Sequence, residues 1–107
     1  MSSTEILKHA HAIRHQGIEL EKDGSFAQAE AKYDEALSLY RQHSSTDDLD
    51  YANAVRYSAS LKQILGKFAE SAELWREATE RYKVLDAPDG VVEGEKRLKE
   101  IEDADRT

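Results

Sequence analysis

GSFAQAEAKYDEALSLY, residues 24–40, and GKFAESAELWREATERY, residues 66–82, decide the fold, because a single offset of 42 residues brings five features into coincidence. Gly24 meets Gly66, Phe26 meets Phe68, Tyr33 meets Trp75, Ala36 meets Ala78 and Tyr40 meets Tyr82. The stretches just upstream align at the same offset, with Ile13 against Val55, Arg14 against Arg56 and Gly17 against Ala59. Any antiparallel helical bundle shows apolar stripes, but unrelated stripes do not agree at so many places of one offset. The chain holds a duplicated unit.

Each copy reads as two helices. Ile6, Ala10, Ile13, Gly17 and Leu20 recur at three- and four-residue steps and predict a helix over 3–22, with Ser2 and Glu5 as a capping box and Asp23-Gly24 as its end. A second helix starts at Ser25, which Gln28 would complete as another capping box. It carries Phe26, Ala29, Tyr33, Ala36, Leu37 and Tyr40 on one stripe and ends near His43. The polar connection SSTDDLD offers Thr and Asp residues to cap a third helix over about 50–65, closed by Gly66. Phe68, Ala72, Trp75, Ala78 and Tyr82 mark a fourth. Pro88 in DAPDG interrupts the pattern, and Val91, Val92, Leu98 and Ile101 mark a fifth helix over about 89–103. Pairs of opposite charge four apart, Glu77-Arg81, Glu93-Arg97 and Glu95-Lys99, each support a helix by tenths of a kcal/mol.

The first unit, Q-G-x-x-L followed by G-x-F-x-x-A-x-x-x-Y-x-x-A-L, resembles the tetratricopeptide repeat, with Gly17, Leu20, Ala29, Tyr33 and Ala36 at its signature places. The period of 42 instead of about 34 residues is similar to that of the long-repeat class found in kinesin light chains and in bacterial proteins. The resemblance implies an all-α fold, a short α-solenoid of two antiparallel helix-turn-helix repeats plus a C-terminal capping helix. In that reading residues 1–103 form one domain, with repeat one at about 3–43, repeat two at about 50–85, a capping helix at about 89–103 and a polar tail at 104–107. The repeat core it implies is Ile13, Gly17, Leu20, Phe26, Ala29, Tyr33, Ala36, Val55, Ala59, Phe68, Trp75, Ala78 and Tyr82. Two places depart from the pattern: Ser71 where alanine is favoured, and Lys62 where a large apolar residue is usual, which would shift the packing of the second pair.

Composition bounds the function. The 107 residues carry a formal net charge of −7, so no overall positive field draws in nucleic acid. Cysteine is absent, which excludes disulfides and thiolate metal sites. The first residues carry charges and histidines where a secretory signal needs an apolar run, which points to a cytoplasmic protein. No window approaches the roughly 18 to 20 apolar residues of a membrane span. There is no glycine-rich phosphate loop, no GxSxG and no supported pair of converging carboxylates, so the chain reads as no enzyme and as needing no cofactor.

The resemblance further implies a concave groove lined by the first helix of each unit, which receives another protein or peptide. Its positions fall on His11, Arg14, Ile18 and Glu21 in unit one and on Asn53, Arg56, Ser60 and Gln63 in unit two. The recurrence of arginine at Arg14 and Arg56 in an acidic chain points to an acidic or carboxylate-terminated ligand, since a guanidinium fork matches a carboxylate. Ile18 stands where the family's chaperone-tail clamp has asparagine. The bland alternative is that both arginines pair with nearby acids. His11, His15 and Glu19 form a ladder at four-residue steps, but one helix face supplies too few ligands for a closed metal site. Trp75 and Tyr82 align with Tyr33 and Tyr40 and therefore read as core, whereas Tyr51 and Tyr57 have no such equivalents and are candidates for exposed contacts, with burial the equal alternative. Self-association as a homodimer is the alternative function, with apolar surface at Ile6, Leu7, Val91 and Val92.

Overall fold

The computed structural model describes residues 1–44 and 48–106, and over them the chain is all-helical: α1 (Ser3–Lys22), α2 (Phe26–His43), α3 (Leu49–Ile64), α4 (Phe68–Val84) and α5 (Pro88–Asp105). Among the described residues no helix is long and apolar enough to cross a membrane. The Ser2–Glu5 capping box forms in both directions. Asp48 caps α3 by accepting from the Asp50 amide at 2.8 Å, while Thr46 and Asp47, also foreseen as caps, lie outside the described residues. Pro88 occupies the first turn of α5, where its missing N–H costs nothing. Ala104 and Asp105, expected in the polar tail, continue α5 as helix.

One expected cap is absent. Ser25 makes no side-chain bond at the start of α2. Its amide instead donates to the Leu20 carbonyl at 2.9 Å and the Gly24 amide to Glu21 at 3.0 Å, so the turn that closes α1 also opens α2. The same turn recurs twice. Lys67 and Gly66 bond back to Lys62 and Gln63, and Ala87 and Asp86 bond back to Tyr82 and Lys83. Gly24 and Gly66 supply the left-handed residue in the first two, at φ 81° and 77°, and Asp86 supplies it in the third at 54°.

Consecutive helices pack antiparallel. Gly17 of α1 lies against Tyr33 of α2 while His11, nearer the start of α1, reaches Tyr40 near the end of α2. Ser71 of α4 donates to the Ala59 carbonyl of α3 at 2.7 Å, while Tyr82, farther along, reaches back to Asn53. Helices two apart in the chain are joined as well, α2 to α4 by Arg41–Glu77 and Glu30–Lys67, and α3 to α5 by Arg56–Glu93. Trp75 and Tyr40, each 1% exposed, fill the main core together with Ile13, Ala36, Val55, Ala59, Ala78, Tyr82 and Ile101. A second cluster joins Ala29, Tyr33 and Leu61, with Leu20 half-buried on its edge. Each large apolar side chain so buried contributes about 1.5–3 kcal/mol. An exposed pair such as Lys22–Glu19 contributes at most about 1 kcal/mol, so the core dominates.

One core assignment needs revision. Phe26 is 37% exposed: it heads α2 at an outer edge, whereas its equivalent Phe68 is half-buried against the core, in a hollow it shares with Leu98 and Ile101 of α5. Of the two readings open for Tyr51 the structure takes burial, at 5% exposed, because the start of α3 lies over the end of α2. Its ring stacks on Tyr40 and carries the Arg81 guanidinium 3.7 Å above its centre, and its hydroxyl accepts from Arg41.

The two departures from the repeat pattern are met by polar bonds. Ser71, fully buried, gives its hydroxyl proton to the Ala59 carbonyl, so the small residue also ties α4 to α3. Lys62 is 7% exposed, and its ammonium meets Glu30 at 2.8 Å, Asp34 at 3.3 Å and Glu70 at 3.3 Å. Burial pulls the Lys62 pKa down, but these carboxylates more than offset it and hold the group above its ordinary value. Its bonds to Lys62 and Lys67 hold Glu30 below the ordinary carboxylate value.

The close approach of α1 and α2 has a direct test. A methyl group on Gly17 would stand 2.6 Å from Cε1 of the buried Tyr33 ring. The overpacking cost of about 1–3 kcal/mol outweighs the gain of about 1 kcal/mol in helix propensity. Gly17→Ala is therefore expected to lower the urea midpoint; a midpoint at or above that of the unaltered protein contradicts this packing.

Candidate functional site

Asn53, Arg56, Ser60 and Gln63 stand at three- and four-residue steps along α3, all half-buried, on the side where α3 meets α5. Arg56 Nε donates to Glu93 Oε1 at 2.5 Å and Gln63 donates to Glu100 at 3.5 Å. Asn53 Oδ1 accepts from the Tyr82 hydroxyl at 2.6 Å. Asn53 and Arg56 line a hollow of about 420 Å³ closed by Tyr82, Gly90 and Glu93. Ser60 lines a tighter one of about 120 Å³ with Tyr57, Trp75 and Arg97. The structure thus gathers the four unit-two candidates into one row.

The unit-one candidates are deployed differently. Arg14 is 7% exposed, which removes it from any open groove. Its guanidinium donates to the Asp50 carbonyl at 3.2 Å and lies about 6 Å from the centres of the Tyr40 and Tyr57 rings, so it binds the start of α3 to α1. Of the two equivalent arginines only Arg56, with 37% of its side chain exposed, faces solvent to any extent. His11 is turned inward to the Tyr40 hydroxyl at 3.3 Å and to Arg14 at 3.1 Å. Ile18 packs at the edge of the second apolar cluster, and Glu21 accepts from Tyr33 at 2.8 Å. His11 and His15 meet edge to face at 5.0 Å, and among the described residues no three His, Cys, Asp or Glu converge as metal ligands.

Sequence reasoning singled out Tyr57 as a contact candidate but missed the place of Glu93 and Arg97 in this row. Tyr57, half-buried, lies between the Arg14 and Arg56 guanidiniums at 5.8 and 5.7 Å and tilts against Tyr33. Glu93, foreseen as the helical partner of Arg97, turns to Arg56 instead, and Arg97 bonds to Glu100. A signal for these partners exists in the spacing. Arg14–Asp50, Arg41–Glu77, Glu30–Lys67, Arg56–Glu93 and Gln63–Glu100 are all 36 or 37 residues apart, the interval between laterally adjacent helices.

The bond from Arg56 holds the Glu93 carboxyl below its ordinary value and Glu93 in turn raises Arg56. Burial pushes Glu77 up, but Arg41 and Arg81 together bring it below the ordinary carboxylate value. Burial raises the Tyr82 and Tyr40 hydroxyls.

Comparison with protein-family models, with curated proteins and with solved structures finds no match to this chain.

Glu30, Glu77 and Glu93 share one consequence for stability. Their folded values lie below the ordinary carboxylate value of about 4.5, so on acidification the unfolded chain binds protons first. Their stabilisation is complete above that value and is lost as pH falls through the folded ones. The thermal midpoint is expected to drop between about pH 5 and pH 3. Glu93→Gln should flatten that fall; an acid profile identical to that of the unaltered protein contradicts a folded-state Arg56–Glu93 pair.

Proposed function

We propose that this chain is a short tetratricopeptide-type solenoid, two helix-turn-helix units and a closing helix, which holds an acidic or carboxylate-terminated segment of another protein where α3 meets α5. The duplicated unit, the three equivalent turns and the antiparallel helix pairs support the solenoid reading. One observation carries the ligand chemistry: Arg56, beside a hollow of about 420 Å³, already grips a carboxylate, that of Glu93. A ligand carboxylate would take the place of Glu93 on the guanidinium, while Asn53, Ser60 and Gln63 offer hydrogen bonds to an extended backbone. Binding in this mode is non-catalytic.

The probe is an Asp- and Glu-rich peptide with a free C-terminal carboxylate, titrated by calorimetry. Arg56→Gln should weaken its binding at least about tenfold, and Glu93→Gln should strengthen it, because the internal competitor is gone. Affinity that neither substitution alters overturns the proposal.

A homodimer is a second reading, favoured by the corner between α4 and α5, where Val84 and Val92 are 70% and 68% exposed beside an apolar hollow lined by Ala87, Pro88 and Val91. Light scattering should then show a dimer that Val92→Lys dissociates; a monomer at every concentration removes this reading.

A further inference from the structure

Trp75 and Arg97 each bury a side-chain N–H that has no hydrogen-bond partner among the described residues, the indole Nε1 of one and the guanidinium Nε of the other. Both side chains line the same hollow of about 120 Å³, where α3, α4 and α5 meet. An indole and a guanidinium donate and never accept. Two buried donors on one hollow therefore call for a shared acceptor.

Unit one shows what meets such a ring. Tyr33, the counterpart of Trp75 at the 42-residue offset, donates its hydroxyl to the Glu21 carboxylate at 2.8 Å. In unit two Gln63 stands where Glu21 does, and it is turned to Glu100. Two carboxylates reach the hollow, Glu21, already held by Tyr33, and Glu93. Glu93 lies four residues before Arg97 on α5, the spacing and order in which Glu and Arg pair on a helix. It bonds Arg56 instead, while Arg97 gives Nη1 to Glu100 at 3.2 Å and keeps its Nε buried. The bond from Arg56 does most to lower the Glu93 carboxyl, burial opposes it, and the charge of Arg97 adds to the lowering, so Arg97 already acts on this group. Arg56 and Glu93 border both this hollow and the neighbouring one of about 420 Å³.

We infer that Trp75 and Arg97 form a second seat for the Glu93 carboxylate, which passes to them from Arg56 when a ligand carboxylate takes the guanidinium. The ligand half of this rests on the proposed carboxylate binding, but the second seat belongs to the chain by itself. A change of side-chain rotamer carries the carboxylate from one seat to the other, with α5 in place. Trp75 and Arg97 are positioning residues, since neither touches the ligand. Their effect is that Glu93, half-buried, is not left without a partner when it is displaced. The site keeps an internal competitor on Arg56 and still opens at little cost.

Trp75 is the only tryptophan, so its indole N–H gives a single NMR resonance. Arg56→Met removes the first seat with no ligand present. The indole proton of that variant should move downfield from its place in the unaltered protein, as a charge-assisted bond requires, and Glu93→Ala added to Arg56→Met should return it. An indole that stays put overturns the inference. So does one that moves alike in both variants, because water or Glu21 is then the acceptor. The Asp- and Glu-rich peptide next tests the coupling. It should move the indole proton of the unaltered protein the same way, and Arg97→Met should weaken its binding at least about fivefold, a loss that should vanish in a Glu93→Ala background. Binding that leaves the indole unmoved, or a loss that persists without Glu93, overturns the inference. A peptide that binds no variant removes the ligand reading alone, and the indole shift of Arg56→Met then decides the second seat. Circular dichroism of each variant confirms that the helices persist.

Discussion

At Gly17 the Tyr33 ring comes so near the α1 backbone that no side chain of any size fits between them, and Ala59 with Ser71 and Gly94 with Thr79 repeat this contact along the chain. Helices that approach this closely must present small residues on one side and a filling residue on the other. The rest of the structure follows from that spacing. It sets the antiparallel pairs, and with them the lateral interval at which alternate helices stand side by side. At that interval lie the bonds Arg41–Glu77, Glu30–Lys67 and Arg56–Glu93.

Close packing also explains where the chain tolerates charge inside. Lys62 takes a place where an aliphatic side chain would pack, and an ammonium buried alone would cost several kcal/mol. Three carboxylates from two flanking helices surround it, so α2, α3 and α4 converge on one cation. Arg14 does the same for α1 and α3, using the Asp50 carbonyl at 3.2 Å, its carboxylate at 3.9 Å and two aromatic faces. Such sites add less to stability than an apolar core of equal volume, but they admit one register of the helices.

The candidate surface on α3 depends on the lateral interval between alternate helices. Between α3 and α5 it is 37 residues, which sets Glu93 opposite Arg56 and so places a carboxylate on the guanidinium. The short turn at Asp86 brings α5 directly back along α4, so that Gly94 meets Thr79 and Ile101 is buried.

Helix positions, their ends at Gly24, Gly66 and Pro88, and most of the core were legible in the sequence, since periodicity, turn chemistry and apolar spacing are local properties. Two coincident units made Tyr33, Trp75, Ala36 and Ala78 core without any structure. The fate of the polar residues was not legible. Arg14 and Arg56 are equivalent in sequence, yet one is buried under Tyr40 and Tyr57 and the other meets Glu93, because a charged side chain takes its role from helices that lie 36 or 37 residues away. Phe26 and Phe68 are equivalent too, yet Phe68 packs beside Leu98 and Ile101 of α5 while Phe26 stays 37% exposed at the start of α2. The sequence by itself determined the helices and the unit they repeat. Only the tertiary structure decided which charges were paired, which aromatic rings were covered and which grooves stayed open, because each of these depends on neighbours that local pattern does not encode.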